Sequence, residues 1–117
     1  MARPALNLLV IRAKDPNRLA GFYKLLGIDF DQHQHGRGAI HYAADLGGPV
    51  LEIYPLLRDG DETTSTRLGF TVSGLDDTIS RLREAGVAVL QEPTDSEWGR
   101  RVVVRDYEGH KVELCER

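Results

Sequence analysis

A chain of 117 residues has room for one domain and not for two independent ones, and at this length roughly two thirds of the unfolded surface is buried on folding. Fifteen Lys and Arg against eighteen Asp and Glu give a formal net charge of −3, so no basic field exists to attract phosphate backbones, and a nucleic-acid partner is not expected. The 41% hydrophobic and 28% charged content is ordinary for a globular protein, and no run of about 18 apolar residues is present to span a bilayer.

Residues 6–12 form the first apolar run, and it stops at Asp15-Pro16. That pair reads as a strand giving way to a helix, because Asp accepts from the free N–H groups of a first turn and Pro fits within it. Leu19, Phe22, Tyr23 and Leu26 follow at i, i+3, i+4 and i+7, which makes one apolar helix face, and Gly27 supplies the stop. Three short runs come next, 29–34, 39–45 and 50–56, separated by Gly36-Arg37-Gly38 and Gly47-Gly48-Pro49. They predict a three-stranded meander. The polar stretch 58–65, with Asp59, Gly60, Asp61 and Glu62, reads as a linker. The order then begins again with a strand over 68–73, a helix over 76–85 with Leu75, Ile79 and Leu82 on one face, and a stop at Gly86. Strands over 87–91, 101–105 and 111–115 follow, with Pro93 and a turn over 106–110 between them.

The two halves align by position: Gly27 and Gly86 lie 59 residues apart, Glu52 and Glu113 lie 61 apart, and so do Gly48 and Gly109. The chain is a βαβββ unit written twice, an α+β arrangement in which each unit alone lacks cover for its apolar face. It is read as a single domain over 1–117, with module one over about 5–57, a linker over about 58–65 and module two over about 66–117. The lone Cys115 has no partner for an intrachain disulfide, and residues 1–5 lack the layout of a signal peptide, so a cytoplasmic protein is expected.

Strand side chains alternate between faces. Leu9, Ile11, Leu51, Ile53, Leu68, Phe70, Val72, Val112 and Leu114 are assigned to the helix-covered side. Leu8, Val10 and Arg12, Glu52 and Tyr54, Arg67, Gly69 and Thr71, and Lys111, Glu113 and Cys115 then share the other face. Such a face is either plain solvated surface or the wall of a binding cleft.

Several segments carry a family resemblance: Phe22-Tyr23-Lys24-Leu25-Leu26-Gly27, Leu51-Glu52-Ile53, Leu68-Gly69-Phe70-Thr71-Val72 with Leu75-Asp76-Asp77, Trp98-Gly99-Arg100-Arg101, and Arg105-Asp106-Tyr107-Glu108-Gly109-His110-Lys111-Val112-Glu113-Leu114. In order and spacing they resemble the vicinal oxygen chelate superfamily, the group of glyoxalase I, bleomycin-resistance proteins, fosfomycin-resistance proteins and extradiol dioxygenases. The resemblance covers nearly the whole chain. It implies two βαβββ modules that curve their sheets into an open barrel, with helices on the convex side and a small molecule bound on the concave face. It also implies pairing into a homodimer.

Metal-dependent members of that superfamily take one ligand from each of four strands: His on the first, Glu on the fourth, His or Gln on the fifth, and Glu on the eighth. By this resemblance the two carboxylates correspond to Glu52 and Glu113, while the first slot holds Leu8 and the third holds Arg67. Leucine has no donor atom, and a guanidinium brings a positive charge to the place of a cation. The expectation is therefore no cofactor and no metal. The alternative is a divalent ion (Zn, Ni, Mn or Fe) on Glu52 and Glu113, serving a glyoxalase-like lyase or isomerase or a dioxygenase-type enzyme.

The candidate site comprises Glu52 and Glu113 as possible catalytic carboxylates, with Arg67, Arg12, Tyr54, Thr71, Trp98 and His41 to hold a small anionic or aromatic molecule. Arg67 is the proposed substitute for the metal's charge, oriented by the two glutamates. Residues 39–43 fit either strand phase, so His41 or Tyr42 points inward. His33 and His35 fall on one face of the second strand and read as surface imidazoles, with a metal pair as the sharper option. His110 is expected to make a turn hydrogen bond. Trp98 sits at the mouth of the cleft or packs in the core, and Cys115 reads as an inert thiol.

Overall fold

A computed structural model describes residues 2–117 and divides the chain into two compact units that meet in sequence at Glu62 and Thr63. The first contains β1 (Leu8–Ala13), α1 (Pro16–Lys24), β2 (Asp31–His33), β3 (His41–Asp45) and β4 (Val50–Pro55). The second contains β5 (Arg67–Thr71), α2 (Leu75–Glu84), β6 (Val89–Ser96), β7 (Gly99–Arg105) and β8 (Lys111–Glu116). Each unit is a four-stranded sheet, ordered β1-β4-β3-β2 and β5-β8-β7-β6. In each the first strand runs parallel to the fourth and the remaining pairs are antiparallel. The βαβββ unit is therefore present twice, as the α+β mixed-sheet fold that the sequence implies.

The helix ends follow from the residues that predicted them. At the start of α1 the side chain of Asp15 accepts from the backbone N–H of Arg18 at 3.1 Å, and Pro16 opens the helix. At its end Gly27 takes φ +94°, which lets the N–H of Ile28 reach back to the Tyr23 carbonyl. Gly86 repeats this with φ +78° and a Val87 to Leu82 bond. Both are the left-handed turn that glycine permits without a Cβ clash. The start of α2 is capped from a distance: Glu116, at the end of β8, accepts from the N–H groups of Gly74 and Leu75.

Leu19, Phe22 and Tyr23 of α1 are fully buried with Ile11, Leu51 and Ile53, and Leu75 and Leu82 of α2 with Val102, Val104, Val112 and Leu114. Each such side chain contributes about 1.5–3 kcal/mol by leaving water, so these faces hold the units together. The assigned helix-covered sides hold. On the exterior of the second unit Arg83 pairs with Glu92 at 2.8 Å, and Arg100 bridges Asp95 and Asp76. The hydrogen bond from Arg100 to Asp95, aided by Asp76, raises that guanidinium above its ordinary value.

Several strand boundaries differ from the sequence reading. β2 is confined to Asp31–His33, β3 starts at His41, and β6 does not end before Pro93 but runs through it to Ser96, so that β7 begins at Gly99. β6 is the outer strand of its sheet, and register shifts between Val89 and Gln91 and between Gln91 and Thr94 accommodate the proline. An edge strand with bulges tolerates the missing donor, which an inner strand does not. Among the described residues no helix is long and apolar enough to cross a membrane.

Candidate functional site

The phase of β3 is settled by its pairing. Tyr42 is opposite Ile53 and Ala43 is opposite Glu52, so Tyr42 lies on the helix-covered side and His41 shares the other face with Glu52. Tyr42 accordingly lines a hollow beside α1 with Ala20, Gly21 and Phe30. It leaves the group of inward aromatics that the sequence offered.

His41 is buried, 2% exposed, and its Nε2 lies 3.4 Å from a carboxylate oxygen of Glu52. Its Nδ1 is 3.3 Å from the Ala39 carbonyl. Both ring nitrogens thus face oxygen acceptors. The ring stacks on Tyr54 with centroids 4.2 Å apart and planes 6° from parallel, and the Arg12 guanidinium lies 5.3 Å from the Tyr54 centroid. A cation against a phenol ring is attracted by the ring's negative face. On the other side His33 and His35 come within 5.8 and 5.2 Å of the His41 ring. The two exposed histidines of β2 and its loop therefore belong to an imidazole cluster with His41. That contact depends on the β2 to β3 register, which pairs His33 with His41.

In the second unit the face away from α2 is set by adjacent pairings. One row across β5, β8 and β7 is Arg67, Lys111 and Arg105; the next is Gly69, Glu113 and Val103; the third is Thr71, Cys115 and Arg101. Glu113 sits 2.9 Å from Arg101 Nε and 3.9 Å from Arg67. The Arg101 contact is one of charge alone, since its buried Nε lacks hydrogen-bond geometry to any acceptor among the described residues. Arg67 keeps nearly half its side-chain surface, 48%, in solvent. Thr71 lines a shallow hollow of about 180 Å³ with Gly69, Phe70, Glu113 and Cys115.

Within the first unit the partner of Glu52 is His41. Glu113 has Arg101 as its nearer partner, a residue the sequence reading passed over. Alternation would have found it, because buried Val102 and Val104 put Arg101, Val103 and Arg105 on the opposite face. Trp98 is 69% exposed at the turn between β6 and β7, which removes the core-packing option. Cys115 is within 3.4 Å of the Trp98 carbonyl. His110 makes the expected turn contact with Asp106 and a second bond, 2.7 Å from its Nε2 to the Thr63 hydroxyl.

The superfamily's metal does not fit the residues in its four slots. Leu8 offers no donor, Arg67 is cationic, and the Glu113 carboxylate already faces two guanidiniums that would repel an incoming ion. Among the described residues no group of three or more His, Cys, Asp and Glu is disposed to hold a metal ion.

The model of the Glyoxalase/Bleomycin resistance protein/Dioxygenase superfamily matches residues 5–114. Among solved structures, the oxidase ChaP-H2 is similar with a TM-score of 0.81 at 24% identity, over 99% of this chain and 95% of that one. TnmS3, an antibiotic binding protein from Streptomyces sp. CB03234, gives 0.76 at 24% identity over 99% and 98%. TioX from Micromonospora sp. ML1 gives 0.74 at 25% identity over 97% and 98%. No curated protein matches the chain significantly. With a family match over almost its full length and the doubled βαβββ unit in place, the chain belongs to the glyoxalase/bleomycin resistance protein/dioxygenase superfamily.

Proposed function

We infer that the protein binds a small anionic, aromatic molecule, without the superfamily's usual metal centre, and that it does so as a homodimer. The observation that carries this reading is the half-exposed guanidinium of Arg67, 3.9 Å from a glutamate whose closer counter-ion is Arg101. Arg67 is thus held in place without being used up, and its remaining donors are free for a carboxylate, enolate or phenolate. The structural likeness to an antibiotic binding protein is compatible with sequestration of such a compound.

The test is a binding measurement on chelator-treated protein, after a thermal-shift screen of aryl carboxylates and phenolics has provided a ligand. Arg67→Ala should weaken that ligand by about 2 kcal/mol, roughly 30-fold, as expected when a charge-assisted hydrogen bond is lost. The same variant should unfold at nearly the wild-type denaturant concentration, because buried Leu68 carries packing on β5 and Arg67 is exposed. A large loss of stability with unchanged affinity would make Arg67 a counter-ion of Glu113 and nothing more.

A further inference from the structure

The row Arg67, Lys111 and Arg105 sets three cations side by side on three adjacent strands. Like charges directly across neighbouring strands repel, so such a row costs stability unless something neutralises it. The chain's own anions do little of this. Arg105 donates to the Gly109 carbonyl, Arg67 has Glu113 at 3.9 Å, and Lys111 pairs with no carboxylate among the described residues. With Arg101, four cations share this face of those three strands with one carboxylate, Glu113, which pairs with two of them, in a chain whose net charge is −3. In the first unit the matching row is Leu8, Val50 and Asp45. The cationic row is therefore peculiar to the second unit and not a feature of the repeat.

A hollow of about 180 Å³ lies against this row, lined by Arg67, Lys111, Leu90, Gln91 and Val103. Its lining thus combines two basic residues and Gln91 with the apolar Leu90 and Val103. A monoanion satisfies one of the two cations. We propose that this hollow takes a dianionic group, either a phosphate-type oxyanion or a pair of carboxylates, with Arg67 and Lys111 each meeting one negative charge. The proposal rests on the reading of Arg67 as an anion-binding residue and adds Lys111 as the residue that sets the charge of the ligand.

Calorimetric titration at low ionic strength, where surface charges are least screened, provides the test with inorganic phosphate, malonate and acetate as probes. The wild type should prefer at least one dianion over acetate by about tenfold or more, and whether phosphate or malonate binds better identifies which kind of dianion is taken. Lys111→Gln should bring that preference close to one while retaining most acetate binding. Lys24→Gln, which removes the same charge from α1, should leave the preference intact. Equal binding of all three probes to the wild type, or a preference that survives Lys111→Gln, overturns the proposal. If Arg67→Ala loses ligand while Lys111→Gln changes nothing, the anion site stands and the dianion falls; if neither change matters, both fall.

Discussion

His110 is fully buried, and a buried polar ring must have its hydrogen bonds satisfied. Its Nδ1–H donates to Oδ1 of Asp106 at 3.1 Å and lies 2.9 Å from Oδ2, the carboxylate being equally buried, and its Nε2 is 2.7 Å from the Thr63 hydroxyl. The same Oδ1 accepts from the backbone N–H groups of Glu108, Gly109 and His110. One imidazole thus ties the β7 to β8 turn to a residue 47 positions earlier. His110→Ala should cost about 3 kcal/mol, since it removes the imidazole donor of a buried carboxylate and leaves a cavity in its place, and Thr63→Val should cost about 1 kcal/mol. Urea unfolding measures both, and a His110→Ala loss below about 0.5 kcal/mol would mean that the turn holds by its backbone alone. The sequence indicated the turn but not the Thr63 bond, because a contact across so many residues has no local signature.

At the level of elements, the helices were legible because their apolar spacing and glycine stops are local properties. The hairpin of β6 and β7 was not, since Pro93 ordinarily ends a strand and only the edge position of β6 makes it tolerable. The turn of that hairpin depends on Gly99, which takes φ +115°, and where a Cβ would lie 2.3 Å from the Glu116 carbonyl oxygen. No rotation of a side chain relieves a clash with backbone. Gly99→Ala should therefore destabilise the protein by more than about 2 kcal/mol, against the few tenths typical of an exposed loop change. An unchanged thermal midpoint would show that the β6 to β7 turn shifts freely away from β8.

On the scale of the whole molecule, the repeat offset was the strongest signal in the sequence, and it fixed the fold and the placement of Glu52 and Glu113 before any contact was known. The partners of those glutamates stayed hidden, because His41 depended on the undecided phase of β3 and the faces of the strand holding Arg101 had not been assigned. The homodimer proposed above would cover exposed Leu6 and Leu57 and the free edges of the outer strands. Light scattering should give twice the 13.1 kDa of one chain, and a mass equal to that of one chain removes the homodimer. A doubled unit separates scaffold from surface: the same strand order carries Leu8, Val50 and Asp45 in one row and Arg67, Lys111 and Arg105 in its counterpart. One architecture thus displays two chemistries, rings on the first sheet and charge on the second.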